Sequence, residues 1–345
     1  MTKSPLVPLS EAMKTLTAQL LNVTPEEACQ LEFHRQFFEA IMITPDDDEV
    51  EKEDKTIEVG GIKVDISIVR PPGQKDKVLP VILFLHGGGW SVCNYKTHSI
   101  LLVTLANACI VFVHYSLSPE AKYPLPLEEC YAALCWTQQN AEAIRVDTNK
   151  LTVLGDSSGG NFSAALTIYA KEKGNDGIKQ QVLYYPPLGT TFDSESFKLF
   201  ENDDFLPREQ VIYYINNYVR SKEDYLLPYV APLRASLETL AGLPPALILT
   251  AERDVLRSDG EEYAHKLLKA GVPALCVRYQ NTSHSFVLPT RPHLSPEATA
   301  GITQTVVWLK SQWKENLTLK VHAIFLLESI ILAINGFKSL NKQGQ

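Results

Sequence analysis

The segment 154–161, with the sequence LGDSSGGN, constrains the fold of this chain more than any other. It lies between a short apolar run and a stretch of helix-forming residues, and a G-x-S-x-G sequence in that setting is typical of a nucleophile elbow. This sharp turn holds its central serine, Ser157, in strained backbone angles. Gly155 and Gly159 are required because a side chain there would collide with the adjoining strand or helix. The segment therefore predicts a reactive hydroxyl above a helix N-terminus, whose dipole favours developing negative charge.

Short apolar runs recur along the chain, and helical stretches separate most of them. The runs are 81–85, 108–114, 151–154, 181–185, 246–250 and 274–279. This alternation predicts an α/β fold with a mostly parallel central sheet covered on both faces by helices. Ahead of these runs, the pair Gly60-Gly61 joins two alternating segments and predicts an antiparallel hairpin.

The predicted organisation has a core interrupted by an insertion. The segments are N-terminal cap helices and an acidic linker (1–54), the first part of the core (55–188), a helical cap insertion (189–240), the second part of the core (241–318) and a tail (319–345). The connection from Tyr185 to Ala246 is several times longer than a crossover needs. It is rich in aromatic residues, and long insertions after a strand usually form lids.

Helix signals define the two ends and the insertion more closely. An N-cap at Thr24 followed by proline predicts a helix to about Met42, after an earlier helix over 10–21. Pro207 begins a predicted helix within the insertion, and the run 46–54 is predicted to be a solvated linker. The tail is apolar over 321–337 but short for a membrane span, which predicts a helix docked on the body or on a neighbouring subunit.

Three consecutive glycines follow the first parallel strand, in the sequence HGGGW. In a hydrolase of this type, such a loop donates backbone N–H groups to an oxyanion hole, which the amide after the nucleophile, here Ser158, completes. We expect the amides of Gly88 and Gly89 to point inward, while the direction of Gly87 stays open. His86 is predicted to orient the loop. A phosphate-binding loop would need a different continuation, which the sequence lacks.

A serine nucleophile also needs an orienting carboxylate, which follows it in the chain in this type of site. Asp254 comes four residues after the run 246–250, in the turn at the carboxyl end of a predicted strand. Asp259 is the weaker candidate because it lies in or near the following helix. Glu252 is closer to the strand and could instead form a structural ion pair.

The base is expected to be a histidine that comes after the acid. His284 follows the last apolar run, which places it at the same edge of the sheet as Asp254. His293 is the alternative and lies further along the chain. His265 falls within a predicted helix, and His322 falls in the tail. The residues thus favour His284 as the general base.

The motifs HGGGW, YSLSPEAKYPLP, GDSSGGN, DVLRSDG and SHSF occur in this order between about residues 80 and 290. In this the chain resembles the hormone-sensitive-lipase-like family of α/β hydrolases, in particular its GDSAG-type carboxylesterases and the arylacetamide deacetylases. The resemblance implies an α/β-hydrolase core with a helical cap. The family's functional positions fall on Ser157, Asp254 and His284, with Gly88, Gly89 and Ser158 as oxyanion donors. Ser158 stands where alanine is usual, and Ser285 where glycine is common.

The resemblance implies hydrolysis of short- to medium-chain carboxylic esters through an acyl-enzyme, with no cofactor and no metal. Two alternatives stay open, namely a non-catalytic small-molecule receptor on the same fold and an acyltransferase. A third, a membrane-associated lipase, depends on the tail. The resemblance is compatible with a homodimer.

The net charge of −8 argues against nucleic acid and anionic membranes as partners. The first ten residues lack the apolar core of a secretory signal, and the six cysteines form no metal-like C-x-x-C pairs. Scattered cysteines in apolar contexts predict a reduced, cytoplasmic setting without stable membrane insertion.

Overall fold

The computed structural model describes residues 31–41, 50–105, 108–203, 205–288 and 295–314. The predicted helix over 10–21, the tail 319–345 and His293 lie outside these residues. So does the beginning of the helix predicted from Thr24, whose later part is present as helix α1, Leu31–Ile41.

One eight-stranded sheet forms the centre of the described fold. Its strands are β1 Glu51–Val59, β2 Ile62–Arg70, β3 Leu79–Leu85, β4 Cys109–His114, β5 Val146–Asp156, β6 Gln180–Tyr184, β7 Ala246–Arg253 and β8 Ala274–Ser283. Their order across the sheet is β1-β2-β4-β3-β5-β6-β7-β8. Strands β3 to β8 are mutually parallel, whereas β2 runs antiparallel to both β1 and β4. The predicted hairpin and the mostly parallel sheet are confirmed.

Helices connect most of these strands. They are α2 Tyr95–Thr104, α3 Leu125–Gln139, α4 Ser158–Glu172, α5 Glu195–Leu199, α6 Arg208–Tyr218, α7 Leu237–Leu240, α8 Arg257–Lys269 and α9 Pro296–Gln312, with 3-10 turns at Lys222–Leu226 and Pro232–Arg234. Helices α5, α6 and α7 lie in the long connection between β6 and β7, and α6 begins directly after Pro207, as predicted. Within the described ranges, no helix has the length and apolar character that crossing a bilayer requires.

Both faces of the sheet are buried, as β3 illustrates. Its sequence LPVILFL is buried at every position. Val81, Leu83 and Leu85 belong to a core cluster that also contains residues of α3 and α4. Ile82 and Phe84 belong to a second cluster with residues of α2 and α9. Because successive side chains of a strand alternate between faces, one apolar run supplies the core on both sides.

The solvated linker predicted over 46–54 is wrong for its last four residues. Strand β1 begins at Glu51, and its charged side chains are mostly exposed. Lys52 forms an ion pair of 3.0 Å with Asp54. At the edge of the sheet, backbone pairing with β2 holds this segment, so it needs no apolar side chains. The run of charges predicts solvent-exposed side chains, and most of them are exposed, but the backbone forms a strand.

Candidate active site

Ser157 occupies a strained turn between β5 and α4. Its backbone angles are φ 52° and ψ −123°, in a region that residues with a side chain rarely adopt. Its amide donates to the carbonyl of Tyr184 at 2.8 Å, which fixes the turn against β6. A Cβ at Gly155 would lie 2.3 Å from the backbone of Gly159. The predicted elbow geometry, with its two obligatory glycines, is therefore present.

Gly159→Ala is expected to destabilise the protein strongly. The added Cβ would lie 1.9 Å from the carbonyl oxygen of Leu85, which is backbone and cannot rotate away. We expect a loss of at least about 3 kcal/mol in the free energy of unfolding. Gly174→Ala is the matched control, since a Cβ there meets open space and only the positive φ of 73° is strained, a cost of about 1–2 kcal/mol. Urea unfolding of both variants measures the difference, and equal losses would contradict the packing argument.

Ser157, His284 and Asp254 come together at the carboxyl edge of the sheet. The Ser157 Oγ lies 2.9 Å from His284 Nε2, and His284 Nδ1 lies 2.8 Å from Asp254 Oδ2. An ionised carboxylate can only accept hydrogen bonds, so Nδ1–H donates to Asp254 and leaves Nε2 free to accept from the serine hydroxyl. Both His284 and Asp254 are buried. The arrangement can remove a proton from Ser157 and stabilise the resulting imidazolium.

Further contacts hold Asp254 and His284 in place. The second oxygen of Asp254 accepts from the amide of Leu256 at 2.8 Å. The ring of Tyr185 packs edge-on against the ring of His284 with centroids 4.8 Å apart. Ser285, where glycine is common in the resembling family, has a φ of 65°. A left-handed residue after His284 turns the chain sharply at the base.

The two other acidic candidates do not approach His284. Glu252 accepts a hydrogen bond from the amide of Asn281 at 2.8 Å, so it braces the strand β8 that leads to the histidine. It pairs with a backbone donor rather than in the ion pair that the sequence suggested. Asp259 accepts from the amides of Leu188 and Gly189 at 3.0 and 2.8 Å. Burial raises the pKa of Asp259 to about 7, partly offset by these two amides.

The stability of the protein is expected to fall with rising pH because of Asp259. Its pKa is higher in the folded state than its ordinary value of 3.8, so the folded state binds the proton more tightly. The contribution is most favourable below about pH 4 and is lost as the pH rises to about 7. The free energy of unfolding of Asp259→Asn, relative to that of the wild type, should rise by about 2–3 kcal/mol as the pH increases from 5 to 8. Thermal unfolding across this range measures it, with the exposed Glu262→Gln on the same helix as control; identical slopes for all three proteins would contradict the assignment.

In the glycine loop 87–89, the first residue differs from the other two in what it faces. The amide of Gly87 donates to Asp156 Oδ1 at 2.9 Å and is thereby turned away from the pocket. Gly88 and Gly89, with φ of 113° and 56°, line the same pocket as Ser157 and Ser158. The sequence left the direction of Gly87 open, and the structure shows it facing the core.

His86 supports this loop from below. Its Nδ1 lies 2.7 Å from the carbonyl oxygen of Gly87, and its ring stacks on Tyr115 with centroids 4.3 Å apart. Burial, together with the nearby charge of His98, lowers the pKa of His86 to about 3. A neutral, buried imidazole has an orienting role rather than a proton-carrying one, in agreement with the sequence-based prediction.

A buried contact between a histidine and a carboxylate beneath the elbow was not predicted. His98 Nε2 lies 3.1 Å from Asp156 Oδ1, and neither side chain is more than 1 % exposed. Burial alone would raise the pKa of Asp156, but the charge and hydrogen bond of His98 and the amide of Gly87 lower it overall. The carboxylate next to the nucleophile is therefore ionised and ties the glycine loop to α2. Asp156 lies within the G-x-S-x-G motif, but nothing near His98 in the sequence marks it as a partner.

Helix α6 packs against the other side of the glycine loop, and α1 packs against α6. The ring of Tyr214 lies where a Cβ of Gly89 would be, with Cγ 2.4 Å from that position. The Tyr214 hydroxyl and His34 Nδ1 share a hydrogen bond of 2.7 Å. Trp90 stacks on Tyr218 with ring centroids 5.1 Å apart. Thus the long connection contacts the loop and the residue after it, and α1 contacts the long connection at Tyr214.

A pocket opens at Ser157 and His284. Its lining is largely apolar, with Phe38, Trp90, Val92, Phe205, Leu206, Val211, Tyr214, Leu256 and Leu288. A pocket with such a lining suits a small apolar ligand with one polar group at its base. In the part of the chain that the structure describes, no cluster of His, Cys, Asp or Glu side chains could hold a metal ion.

The chain resembles esterases in sequence and in structure. Residues 82–288 match a family described by its alpha/beta hydrolase fold. The arylesterase of Saccharolobus solfataricus is 32% identical over 70% of this chain and 79% of its own length. The carboxylesterase NlhH of Mycobacterium tuberculosis is 34% identical over 69% of this chain and 76% of its own. A structure of esterases from the fungus Rhizomucor miehei superposes with a TM-score of 0.83, at 37% identity, over 90% of this chain and 98% of its own.

Proposed function

The chain belongs to the hormone-sensitive-lipase-like family of α/β hydrolases and is a serine carboxylesterase, and from this premise we propose that Ser157, His284 and Asp254 carry its catalysis. The observation that supports the proposal most directly is the continuous pair of contacts, 2.9 Å from Ser157 Oγ to His284 Nε2 and 2.8 Å from His284 Nδ1 to Asp254 Oδ2. Both distances are within hydrogen-bond reach, as a nucleophile, base and orienting acid require.

In the first half of the proposed reaction, the Ser157 oxygen attacks the ester carbonyl while His284 takes its proton. Asp254 stabilises the imidazolium that forms. The negative charge that develops on the carbonyl oxygen is bound by the amides of Gly88, Gly89 and Ser158, each of which lines the pocket beside the nucleophile. The imidazolium then gives its proton to the departing alcohol, and an acyl-serine remains.

In the second half, a water molecule replaces the alcohol. His284 takes a proton from the water as it attacks the acyl-serine carbonyl, and the same amides bind the oxyanion. Collapse of this intermediate returns the proton to Ser157 and releases the carboxylic acid. Since one base serves both halves, no further titratable group is required.

We infer short- to medium-chain acyl esters as substrates. The apolar walls of the pocket support this choice, because each methylene buried against them contributes about 0.8 kcal/mol at most. A series of p-nitrophenyl esters from acetate to palmitate tests it. The expected result is a maximum of kcat/KM at short or medium length, and a maximum at palmitate would contradict the inference.

Stoichiometric labelling tests the proposed nucleophile. Diethyl p-nitrophenyl phosphate should release one equivalent of p-nitrophenolate and leave a diethylphosphoryl group on the peptide that contains Ser157, with loss of esterase activity. A protein that neither reacts nor hydrolyses esters would favour the receptor alternative. Adding 1-butanol to a p-nitrophenyl butyrate assay addresses the acyltransferase alternative, because an acyltransferase would release butyl butyrate in excess of butyric acid.

A further inference from the structure

The first part of the long connection is attached to the loop that carries Asp254. We call residues 253–258 the acid loop. The hydroxyl of Ser196 in α5 donates to the carbonyl of Val255 at 2.6 Å and accepts from the amide of Ser258 at 3.1 Å. Arg257 packs over the ring of Phe200, 5.4 Å from its centroid. The connection therefore does not merely cover the site but is joined to one of its loops.

A second joint lies closer to the pocket, at Asp203. Its Oδ2 lies 3.7 Å from Arg253 Nη2, and the two side chains are only 5 % and 12 % exposed. Its Oδ1 accepts from the amides of Phe205 and Leu206 at 2.9 and 3.3 Å. One carboxylate thus holds the backbone amides of Phe205 and Leu206 and ties them to the acid loop.

The surroundings of the Asp203 carboxyl disfavour its charged form. Burial raises the pKa of Asp203, and the nearby negative charge of Asp254 adds to the increase, while the two amides and Arg253 oppose it. A buried carboxylate beside another acid is expensive unless its partners are well placed. A residue whose only task was to end a turn could do so at the surface, so the position of Asp203 calls for a further role.

The groups at the two ends of this joint belong to the site. Phe205 and Leu206 line the pocket, and the ring of Phe205 lies 6.3 Å from the ring of His284. Arg253 directly precedes Asp254, and its backbone is paired with Ser283, which directly precedes His284. Asp203 therefore connects an apolar wall of the pocket to the two strand ends that carry the acid and the base.

We propose that Asp203 is a positioning residue that holds the wall formed by Phe205 and Leu206 in place and so sets the preference of the site for longer apolar chains. The inference rests on the proposed function of the site. A wall contributes the burial energy of each methylene only while it is ordered, because a mobile wall pays that energy back in side-chain and backbone entropy. Esters whose two arms are both too short to reach the wall should be insensitive to it.

Three variants separate the parts of this device. Asp203→Ala removes both the ion pair and the two amide contacts. Asp203→Asn keeps an acceptor for the amides and removes the charge, and Arg253→Met removes the partner. Glu201→Gln is the matched control, because it removes the same charge from the same turn at an exposed position. Circular dichroism and thermal unfolding verify that each protein is folded.

The measurement is the ratio of kcat/KM for the longer substrate to that for the shorter one. It uses p-nitrophenyl hexanoate against acetate, and hexyl acetate against ethyl acetate, so that either arm of the ester can meet the wall. Asp203→Ala should lower the ratio about tenfold in one series, mostly through KM. Asp203→Asn and Arg253→Met should lower it by roughly threefold. Glu201→Gln should leave it unchanged.

Two outcomes would overturn the inference. One is that both ratios stay at the wild-type value in Asp203→Ala, and the other is that all substrates lose activity equally, as general damage would cause. Failure of the proposed function looks different, since Ser157 would then not be labelled by diethyl p-nitrophenyl phosphate in the wild type. Labelled wild-type enzyme with unchanged ratios in the variants rejects the role of Asp203 alone.

Discussion

Ser157→Ala is expected to lower kcat for p-nitrophenyl butyrate by about four to six orders of magnitude, with little change in KM. The substitution removes the oxygen that attacks the carbonyl and leaves the pocket lining and the glycine loop in place. The residual rate would come from binding and from the oxyanion donors alone. Burst kinetics give a second readout, because no acyl-enzyme can accumulate without the hydroxyl.

The control for this experiment is Ser163→Ala. Ser163 is buried in α4, six residues after Ser157, where its hydroxyl donates to the carbonyl of Gly159 at 2.8 Å. The variant loses a buried serine hydroxyl from the helix that follows the elbow, but Ser163 does not line the pocket, so the activity should stay within a few-fold of the wild type. A Ser157→Ala protein that is folded and retains more than about a hundredth of wild-type kcat would reject Ser157 as the nucleophile.

The second large effect is expected for Asp254→Asn, which should lower kcat by about 10⁴-fold. The asparagine fills the same space, but it no longer provides a charge for the imidazolium and can hold His284 in the wrong tautomer. The kinetics of p-nitrophenyl butyrate hydrolysis measure the loss. The binding of a non-hydrolysable ester analogue should change little, because Asp254 touches His284 rather than the substrate.

Asp259→Asn and Glu252→Gln are the matched controls for this experiment. Both remove a carboxylate from the same part of the chain, and both carboxylates contact backbone amides rather than His284. Each variant should keep activity within about tenfold of the wild type. If Glu252→Gln or Asp259→Asn were inactive and Asp254→Asn were active, the acid would have been assigned to the wrong residue.

The parts of the site that the sequence predicts are those whose geometry is local. The bend at Ser157 follows from the two glycines and the flanking strand and helix, and its φ of 52° agrees with that expectation. Asp254 and His284 come together because both follow strands of one parallel sheet, and the carboxyl ends of such strands meet at one edge. A rule of this kind needs only the order of the elements and no knowledge of side-chain packing.

The contacts that sequence reasoning missed join side chains distant in the chain. The pairs are His98 with Asp156, His34 with Tyr214, and Arg253 with Asp203. In each pair, the two residues come together only when different parts of the chain pack. Neither periodicity nor spacing carries information about such pairs, because charged and aromatic residues in helices usually face solvent or core without a specific partner. A comparison of many related sequences, in which paired positions change together, would be the signal for them.

Helix α9 shows a different kind of omission. Ser295 caps it by accepting from the amide of Ala298, and proline follows at its first position. Both signals are local, so the sequence alone is sufficient to predict this helix. The start of β1 is the opposite case, since its run of charges is legible only as a polar segment and the sheet edge decides its conformation.

The hydrogen bond from Gly87 to Asp156 has a consequence for attempts to redesign the enzyme. Loop and elbow are far apart in the gene, yet one carboxylate fixes both. A library that randomises residues 87–89 while retaining Asp156 samples only those loops whose first amide still points toward Asp156 and away from the pocket. Diversity in the shape of the anion-binding cradle would therefore require codons for both segments to be varied together, with His98 included as the third position.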